Sequence, residues 1–575
     1  MKKAMALFLA ASILVSAMAG CGNEKKNKDT SEDGSNQNTS IGSSAEGEVP
    51  ELAATYPEFA QHREIDITWF EQGWTGLEKS LDIITPEIEK RTNLKMNYEA
   101  MTVPTEQDYN QKLNLMIASK EVPEVFFGGS NEYTRSIYEK LGATDTLWDF
   151  KDIIKEYKNL DELVDPEMKL YRTEGGNNFF IPTQTGRGYE VLNEPYHGMF
   201  IRQDFLDQLG MEYPKTPEEL HTYLKRATTE LTVNGNPVKG ILFGENIGGI
   251  NHLLEMYFPQ IGERDNYGLP YDPKDDYKVK NYEYTDSPEL MKGAQFVSRL
   301  VREGLTDSEA LTIQTAQFQE KGSSGEYALM FSNWWDMNTF TDNAKSEIPE
   351  LMWVTPPPVY ETEQIRESRT QPWTNWVGAW SSLIVNKNID EDTVRHLLAA
   401  MDYFATTEGQ LLVQAGIESE TYTLDEDGKY SFTEEFIAET NDLDWNKAAA
   451  RGVFYYAQLV NNTPAIADLQ STPPALLRED NRKGWENQKE KRDAYDKDMQ
   501  LTLDYYFLPG PVQTEKLQPI KDMKLEFFSQ IMLAQSEAEV ESAVNNWGKT
   551  CEAMGINDII EEKNQIMGEL KKAYA

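Results

Sequence analysis

Strand-like and helix-like segments alternate from residue 63 to residue 129, and this alternation constrains the fold more than any other feature of the chain. The segments EIDITWF and LKMNYEAM place apolar side chains at every second position, which predicts two strands. Helical patterns follow each of them, and a short apolar strand, VPEVFFGG, comes next. Strand–helix–strand units of this length predict a largely parallel sheet in an α/β fold.

A second set of strands and helices begins near residue 198. The segment MFIRQDFLDQLG predicts a strand and then a short helix that ends at Gly210. Thr216 and Ser287 each precede a proline and predict helix N-caps. Further buried strands are predicted in EYALMFSNWW and WVGAWSSLIVN, and residues 480–575 have a mostly helical pattern.

The charge and the chemistry-bearing residues exclude several classes of protein. The formal net charge is −41, from 96 acidic and 55 basic residues, and such a surface repels the phosphate backbone of nucleic acids. The 5 His are scattered, and the 2 Cys cannot form a disulfide framework. The motifs G-x-S-x-G, H-E-x-x-H, Walker A and G-x-G-x-x-G do not occur. We therefore expect no catalytic residues, no metal ligands and no cofactor.

The first 50 residues predict a secreted and anchored protein. Lys2 and Lys3 precede an apolar run over residues 4–17, which is too short to span roughly 30 Å of hydrocarbon and is typical of a signal peptide over residues 1–20. Small residues then precede Cys21, as in the lipobox of bacterial lipoproteins, with Met18 where Leu is usual. We interpret Cys21 as a lipidation site and residues 21–50 as a disordered tether.

Aromatic residues gather where predicted strands end. Ligands of open α/β sheets bind outside the carboxyl ends of strands, and Trp faces stack on the apolar faces of sugar rings. Trp74, Trp335 and Trp376 are the best placed, whereas Trp69 and Trp353 are expected in the core. Adjacent polar side chains would bind hydroxyl groups. The predicted ligand-binding set is Trp74, Gln72, Asn131, Arg187, Glu190, Trp334, Trp335, Asp336, Trp373, Asn375 and Trp376.

Longer segments resemble one known family. EKRTNLKMNYEAMTVPTEQDYNQKLNLMIASKEVPEVFFGG and FIRQDFLDQLGMEYPKTPEELHTYLK resemble segments of family 1 extracellular solute-binding proteins, the lipoproteins that serve carbohydrate ABC importers in Gram-positive bacteria. LVREGLTDSEAL, GEYALMFSNWWD and AGIESETYTLDEDGKY match later landmarks of that family. Lys120, Glu121 and Glu124 depart from the usual residues of the first segment. The resemblance covers residues 60–575.

The resemblance implies a two-lobed fold of the type II periplasmic-binding-protein kind, with a ligand cleft between the lobes and a helical C-terminal region. The N-terminal lobe would comprise residues 51–185 and 355–387, and the C-terminal lobe residues 186–354 and 388–575. Arg187 and Glu190 would lie at the hinge. Such a protein would be a monomer that captures a sugar or oligosaccharide and delivers it to ABC transporter permease subunits. It would be lipid-anchored on the extracellular face of the cell membrane and would bind no nucleic acid.

Other classes of protein fit the same sequence. A surface-anchored glycoside hydrolase would also be rich in Trp, and it needs two carboxylates about 5–10 Å apart across a cleft. A structural or adhesive lipoprotein would have no closed cleft. Within the binding proteins, a peptide or another non-sugar solute is the alternative ligand.

Overall fold

The structure is a computed structural model. The predicted signal peptide, Cys21 and most of the predicted tether lie outside the residues that it describes. Those residues are 49–72, 77–103, 106–119, 121–129, 132–173, 175–185, 198–244, 249–259, 269, 271–272, 275, 278–369, 376–377, 379–462, 464–467, 469–493, 502–503 and 510–574.

The strands of the described residues form two main sheets and several two-stranded ones. They are β1 Arg63–Gln72, β2 Leu94–Val103, β3 Val125–Gly129, β4 Ile181–Thr185, β5 Gly198–Arg202, β6 Thr232–Val233, β7 Asn236–Pro237, β8 Lys239–Leu242, β9 Tyr271–Asp272, β10 Lys278–Val279, β11 Tyr327–Ser332, β12 Trp353–Val354, β13 Trp376–Val377, β14 Ala379–Val385, β15 Tyr422–Leu424, β16 Tyr430–Phe432 and β17 Thr502–Leu503.

The helices lie between the strands and dominate the C-terminal part. The α-helices are Ile84–Thr92, Glu106–Ser119, Glu132–Ala143, Lys158–Leu170, Gln203–Leu209, Pro217–Glu230, Ile250–Leu254, Pro288–Arg302, Thr315–Ser323, Trp334–Lys345, Glu363–Arg369, Glu391–Phe404, Thr407–Gln414, Glu434–Glu439, Trp445–Ala450, Pro464–Ala467, Glu479–Asn487, Lys489–Asp493, Pro511–Leu533, Glu537–Ala553 and Ile556–Tyr574. Short 3₁₀ helices are Glu51–Ala54, Pro57–Ala60, Ile153–Glu156, Glu255–Tyr257, Tyr456–Gln458 and Pro474–Leu476. In the described part of the chain, no helix is apolar over a length that could cross a bilayer.

The first main sheet has the strand order β2-β1-β3-β14-β4. β1 runs parallel to β2 and β3, as predicted, whereas β14 runs antiparallel to both of its neighbours. Ile65, Ile67 and Trp69 of β1 are each 1% exposed, because successive side chains of a strand point to opposite faces. The predicted core position of Trp69 is confirmed. The central strand β3 is buried over four consecutive residues, so both faces of the sheet are covered.

The second main sheet has the strand order β12-β5-β11-β8. β5 runs antiparallel to β12 and β11, while β11 and β8 are parallel. Gly198 at the start of β5 therefore pairs with Ser332 at the end of β11, and we call this side the near edge. Arg202 at the end of β5 and Tyr327 at the start of β11 mark the opposite side, the far edge. Residues 355–358 continue from β12 toward the near edge.

The helix Glu391–Phe404 packs on the first sheet, although the predicted division places it in the C-terminal lobe. Its residues Leu397 and Met401 belong to the same buried cluster as Ile65. Asp402 accepts hydrogen bonds from the Tyr56 hydroxyl at 2.9 Å and the Leu160 backbone N–H at 2.8 Å. These contacts join segments more than 200 residues apart, which no local sequence pattern encodes.

The last three helices share a buried cluster with the second sheet. Pro511–Leu533 and Glu537–Ala553 contact the helix Pro288–Arg302, and the indole N–H of Trp547 donates to the Glu283 carbonyl at 2.7 Å. Cys551 is fully buried there, and burial raises the pKa of its thiol to about 12.

Candidate functional site

The first sheet brings the ends of its strands to one edge. Ala379 at the start of β14 pairs with Thr185 at the end of β4, and Ser381 pairs with Gly129 at the end of β3. β1 is parallel to β3 and ends at Gln72 on the same side. The strand ends next to several predicted ligand-binding residues thus share one edge, the position at which such sheets bind ligands.

Most of the predicted ligand-binding residues near that edge lie outside the described residues. The backbones of Gln72 and Trp376 are described, as parts of β1 and β13. Their side chains lie outside the described part of the structure. The residues outside the described ranges are Trp74, Asn131, Arg187, Glu190, Trp373 and Asn375, and their roles stay predictions.

The other three predicted residues form the first turn of the helix Trp334–Lys345 at the near edge of the second sheet. Asn333 is the N-cap of this helix, directly after β11. Trp335 is 44% exposed, whereas Trp334 is half-buried against the core. The two rings are perpendicular, with centroids 5.6 Å apart and an interplanar angle of 75°. The half-buried indole of Trp334 therefore packs against the indole of Trp335, and the Trp335 indole is exposed to solvent.

The carboxylate of Asp336 is held beside these rings. It accepts hydrogen bonds from the Ser332 hydroxyl at 3.1 Å and from the Asn333 side-chain amide at 3.4 Å. A carboxylate in the first helical turn is also favoured by the helix dipole. Burial nevertheless raises the pKa of Asp336 above its usual range, because desolvation disfavours the charged form. An aromatic face beside a fixed polar group suits a ligand with apolar and hydroxyl-bearing surfaces.

Three stacked aromatic rings pack together at the near edge. Phe331 of β11 lies between Phe243, with centroids 5.8 Å apart, and His252, with centroids 5.5 Å apart. Gly249, with φ of +96°, makes room for this stack, since a Cβ there would lie 2.3 Å from the Phe331 ring. Gly198 makes room for His252, because a Cβ would lie 3.0 Å from its Cε1 atom. These two glycines are required by close packing as well as by backbone conformation.

An open pocket lies at the near edge. It is lined by Met199 of β5, His252 of the ring stack and the residues that follow β12. The sequence did not predict it, because its walls come from four separate parts of the chain. The lining residues are Met199, His252, Glu255, Met256, Thr355, Pro356, Pro357, Pro358, Val359, Tyr360, Arg369, Gln488 and Lys491.

Hydrogen bonds from side chains to backbone carbonyl oxygens hold the lining residues of this pocket in place. Arg369 donates to the Glu255 carbonyl oxygen at 2.7 Å, and its guanidinium lies 5.3 Å from the Tyr360 ring centroid. The Asn487 side chain donates to the Thr355 carbonyl oxygen at 2.9 Å. Across the described ranges, no group of three or more His, Cys, Asp or Glu could hold a metal ion.

Comparison with known sequences gives distant relatives. No family model matches the chain. The chain is 26% identical over 279 residues to the fructooligosaccharide ABC transporter substrate-binding protein FusA of Streptococcus pneumoniae serotype 4, covering 46% of this chain and 48% of FusA. It is 23% identical over 367 residues to the polygalacturonan/rhamnogalacturonan-binding protein YtcQ of Bacillus subtilis, covering 61% of this chain and 66% of YtcQ. The matches thus span about half to two thirds of these relatives.

Comparison with solved structures covers more of the chain. The structure of S. pneumoniae FusA in complex with kestose matches 89% of this chain and 100% of its own, with a TM-score of 0.61 and 14% identity. An extracellular solute-binding protein from Bifidobacterium longum subsp. infantis matches 88% of this chain and 98% of its own, with a TM-score of 0.62 and 13% identity. The predicted two-lobed α/β fold and the predicted resemblance to substrate-binding proteins of carbohydrate ABC transporters are confirmed.

Proposed function

We propose that this chain is a solute-binding protein that captures a sugar or oligosaccharide between its two lobes and delivers it to the permease of an ABC transporter. The observation that carries the proposal is the position of Trp335 and Asp336. An exposed indole and a fixed carboxyl group lie together at a strand end. The chain is similar in sequence to proteins named for fructooligosaccharide transport and for polygalacturonan/rhamnogalacturonan binding, and in fold to a protein solved in complex with kestose.

The proposed mechanism is binding and closure, without catalysis. A ligand that contacts both lobes favours the closed arrangement by its differential affinity for the two states. Trp335 would stack on a sugar ring, and Asp336 would bind a hydroxyl group. Trp74, Trp376, Gln72 and the other predicted residues of the first sheet's edge would contribute the opposite wall.

The buried cluster that contains the helix Glu391–Phe404 supports a proposed division of the chain into lobes. We propose that the N-terminal lobe includes the helix Glu391–Phe404 and the segments that share its buried cluster, up to about residue 470. The C-terminal lobe would combine the second sheet with the last three helices. This division differs from the predicted one only after residue 387.

We also propose the anchoring that the sequence predicts. Cys21 would carry the lipid that holds the receptor on the outer face of the cell membrane, with residues 22–50 as the tether. Mass spectrometry of the mature chain tests this proposal directly. A diacylated N-terminal Cys21 is the expected result, and an unmodified Cys21 or cleavage elsewhere would contradict the anchor without affecting the receptor.

A thermal-shift screen tests the binding function. A ligand that binds only the folded state must raise the melting temperature. The panel should contain neutral oligosaccharides such as kestose and acidic ones such as trigalacturonate, with peptides of similar size as the alternative class. A rise with a sugar and none with peptides is expected. Release of new reducing ends on prolonged incubation would instead indicate a glycoside hydrolase.

A further inference from the structure

Gln488, which lines the near-edge pocket, has a side-chain oxygen that accepts no hydrogen bond from the described residues. Gln488 lies between the helices Glu479–Asn487 and Lys489–Asp493 and is 5% exposed. Its side-chain N–H₂ group donates to the Pro356 carbonyl oxygen, which fixes the amide's orientation. Its Oε1 atom has no hydrogen-bond partner among the residues that the structure describes.

The backbone around Gln488 is held in place by its neighbours. Asn487 bonds to the Thr355 carbonyl oxygen at 2.9 Å. Gly484 lies so close to this segment that a Cβ would be 3.1 Å from the Thr355 backbone nitrogen. The orientation of the free acceptor is therefore built into the fold. Folded proteins leave few buried polar atoms without a partner, and the residue that carries this one lines an open pocket.

The rest of the pocket wall has the chemistry that a sugar ring requires. The three successive prolines 356–358 and Tyr360 supply apolar surface for C–H groups. Arg369 and Lys491 supply N–H donors for ring and hydroxyl oxygens. Only an O–H or N–H donor on the ligand can satisfy Gln488 Oε1. Donors and acceptors on a ring with apolar faces are the combination that a monosaccharide unit offers.

We infer that this pocket is a sugar subsite in which Gln488 Oε1 accepts a hydrogen bond from a hydroxyl group of the bound saccharide. The inference rests on the proposed function and assigns a second ring position beside the one at Trp335. The shared chemistry is a hydroxyl donor, which neutral sugars and uronic acids both carry. Arg369 pairs with the Glu255 carboxylate at 3.7 Å, and with Lys491 the lining carries one more positive than negative charge, so an acidic unit also fits.

Calorimetric titration of the intact chain with kestose and with trigalacturonate tests the subsite. Gln488→Met removes the acceptor, together with the donor to the Pro356 carbonyl oxygen, with little change in volume. It should weaken binding of the preferred trisaccharide about tenfold, the usual scale for a lost buried hydrogen bond. Gln513→Met is the matched control. Gln513 is 1% exposed and its side-chain amide also has no partner within the described residues, but it does not line the pocket. This control should bind like wild type.

Met199→Trp provides a second variant, because Met199 is half-buried and lines the pocket from β5. The larger side chain should fill the pocket and weaken the same trisaccharide, with the melting temperature of the free protein as the check on folding. If wild type binds and both variants bind equally well, the subsite is overturned and the proposed function stands. If wild type binds neither trisaccharide, the proposed function fails and the subsite fails with it.

Discussion

The two edges of the second sheet carry opposite kinds of polar chemistry. At the far edge, Arg202 is fully buried and makes bonds of 2.7 and 2.6 Å to the two carboxylate oxygens of Asp204. It also donates to the Gly325 carbonyl oxygen and lies over the ring of Phe205. At the near edge, Trp335 is exposed and Gln488 Oε1 has no partner among the described residues.

The difference shows how one sheet separates stability from recognition. A buried charge is tolerated when it is paired and hydrogen-bonded, as Arg202 is at the far edge. Tyr223 completes that network by donating to the Ala328 carbonyl oxygen at 3.0 Å. At the near edge, the exposed indole of Trp335 and the side-chain oxygen of Gln488 are the groups that we propose contact the ligand. We therefore expect substitutions at the far edge to change the free energy of unfolding, and substitutions at the near edge to change binding.

The largest effect is expected from Arg202→Met. Removing the guanidinium leaves the Asp204 carboxylate buried without its cation, which costs about 3–5 kcal/mol of stability. Urea unfolding followed by circular dichroism measures this loss. Arg226→Met is the control, because Arg226 forms an exposed pair with Glu230, and it should cost less than about 1 kcal/mol. A similar small loss for both variants would contradict the structural role of the far edge.

The next effect is expected from Trp335→Ala. Truncating an aromatic anchor of a binding site typically costs about 2 kcal/mol of affinity or more, so the dissociation constant for the oligosaccharide found in the screen should rise by a factor of roughly 30. The free energy of unfolding should change by no more than about 0.5 kcal/mol, because the side chain is exposed. Leu424→Ala, at a position that is 43% exposed, should change neither quantity. Unchanged affinity in Trp335→Ala would remove this residue from the site.

The smallest effect is expected from Asp336→Asn and depends on pH. Since burial raises the pKa of Asp336, the folded chain holds this proton more tightly than the unfolded chain does. The resulting stabilisation is complete below the unfolded pKa, about 4, and is lost as the pH rises through the folded pKa. Asn cannot titrate, so the free energy of unfolding of the variant relative to that of wild type should rise between pH 4 and pH 7. Melting temperatures at the two pH values measure it, and an equal difference at both would contradict the raised pKa.

Local patterns predicted the elements of the fold well. The apolar alternation of residues 64–70 lies within β1, and Thr216 and Ser287 cap helices by accepting from backbone N–H groups at 3.3 and 3.1 Å. Gly210 ends its helix with φ of +60°. These features depend on residues within a few positions of one another, which is the range over which propensity and periodicity act.

Contacts between distant segments could not be predicted in this way. The packing of the helix Glu391–Phe404 on the first sheet depends on contacts such as Asp402 to Tyr56, whereas the predicted division assigns this helix to the C-terminal lobe. The near-edge pocket likewise joins Met199, Arg369 and Gln488, which are far apart in sequence. Trp335 was predicted from its strand-end position, which is a local feature. The side-chain oxygen of Gln488, which has no partner among the described residues, can be identified only when its neighbours are placed.

Hydrogen–deuterium exchange with and without the bound oligosaccharide tests the contrast between the two edges most directly. On ligand addition, we expect slower exchange of backbone amides in peptides that cover residues 331–338 and 355–360, at the near edge. Peptides that cover residues 202–206 at the far edge should exchange slowly in both conditions and change little. Protection confined to the far edge, or protection that leaves residues 331–338 unchanged, would contradict the assignment of ligand recognition to the near edge.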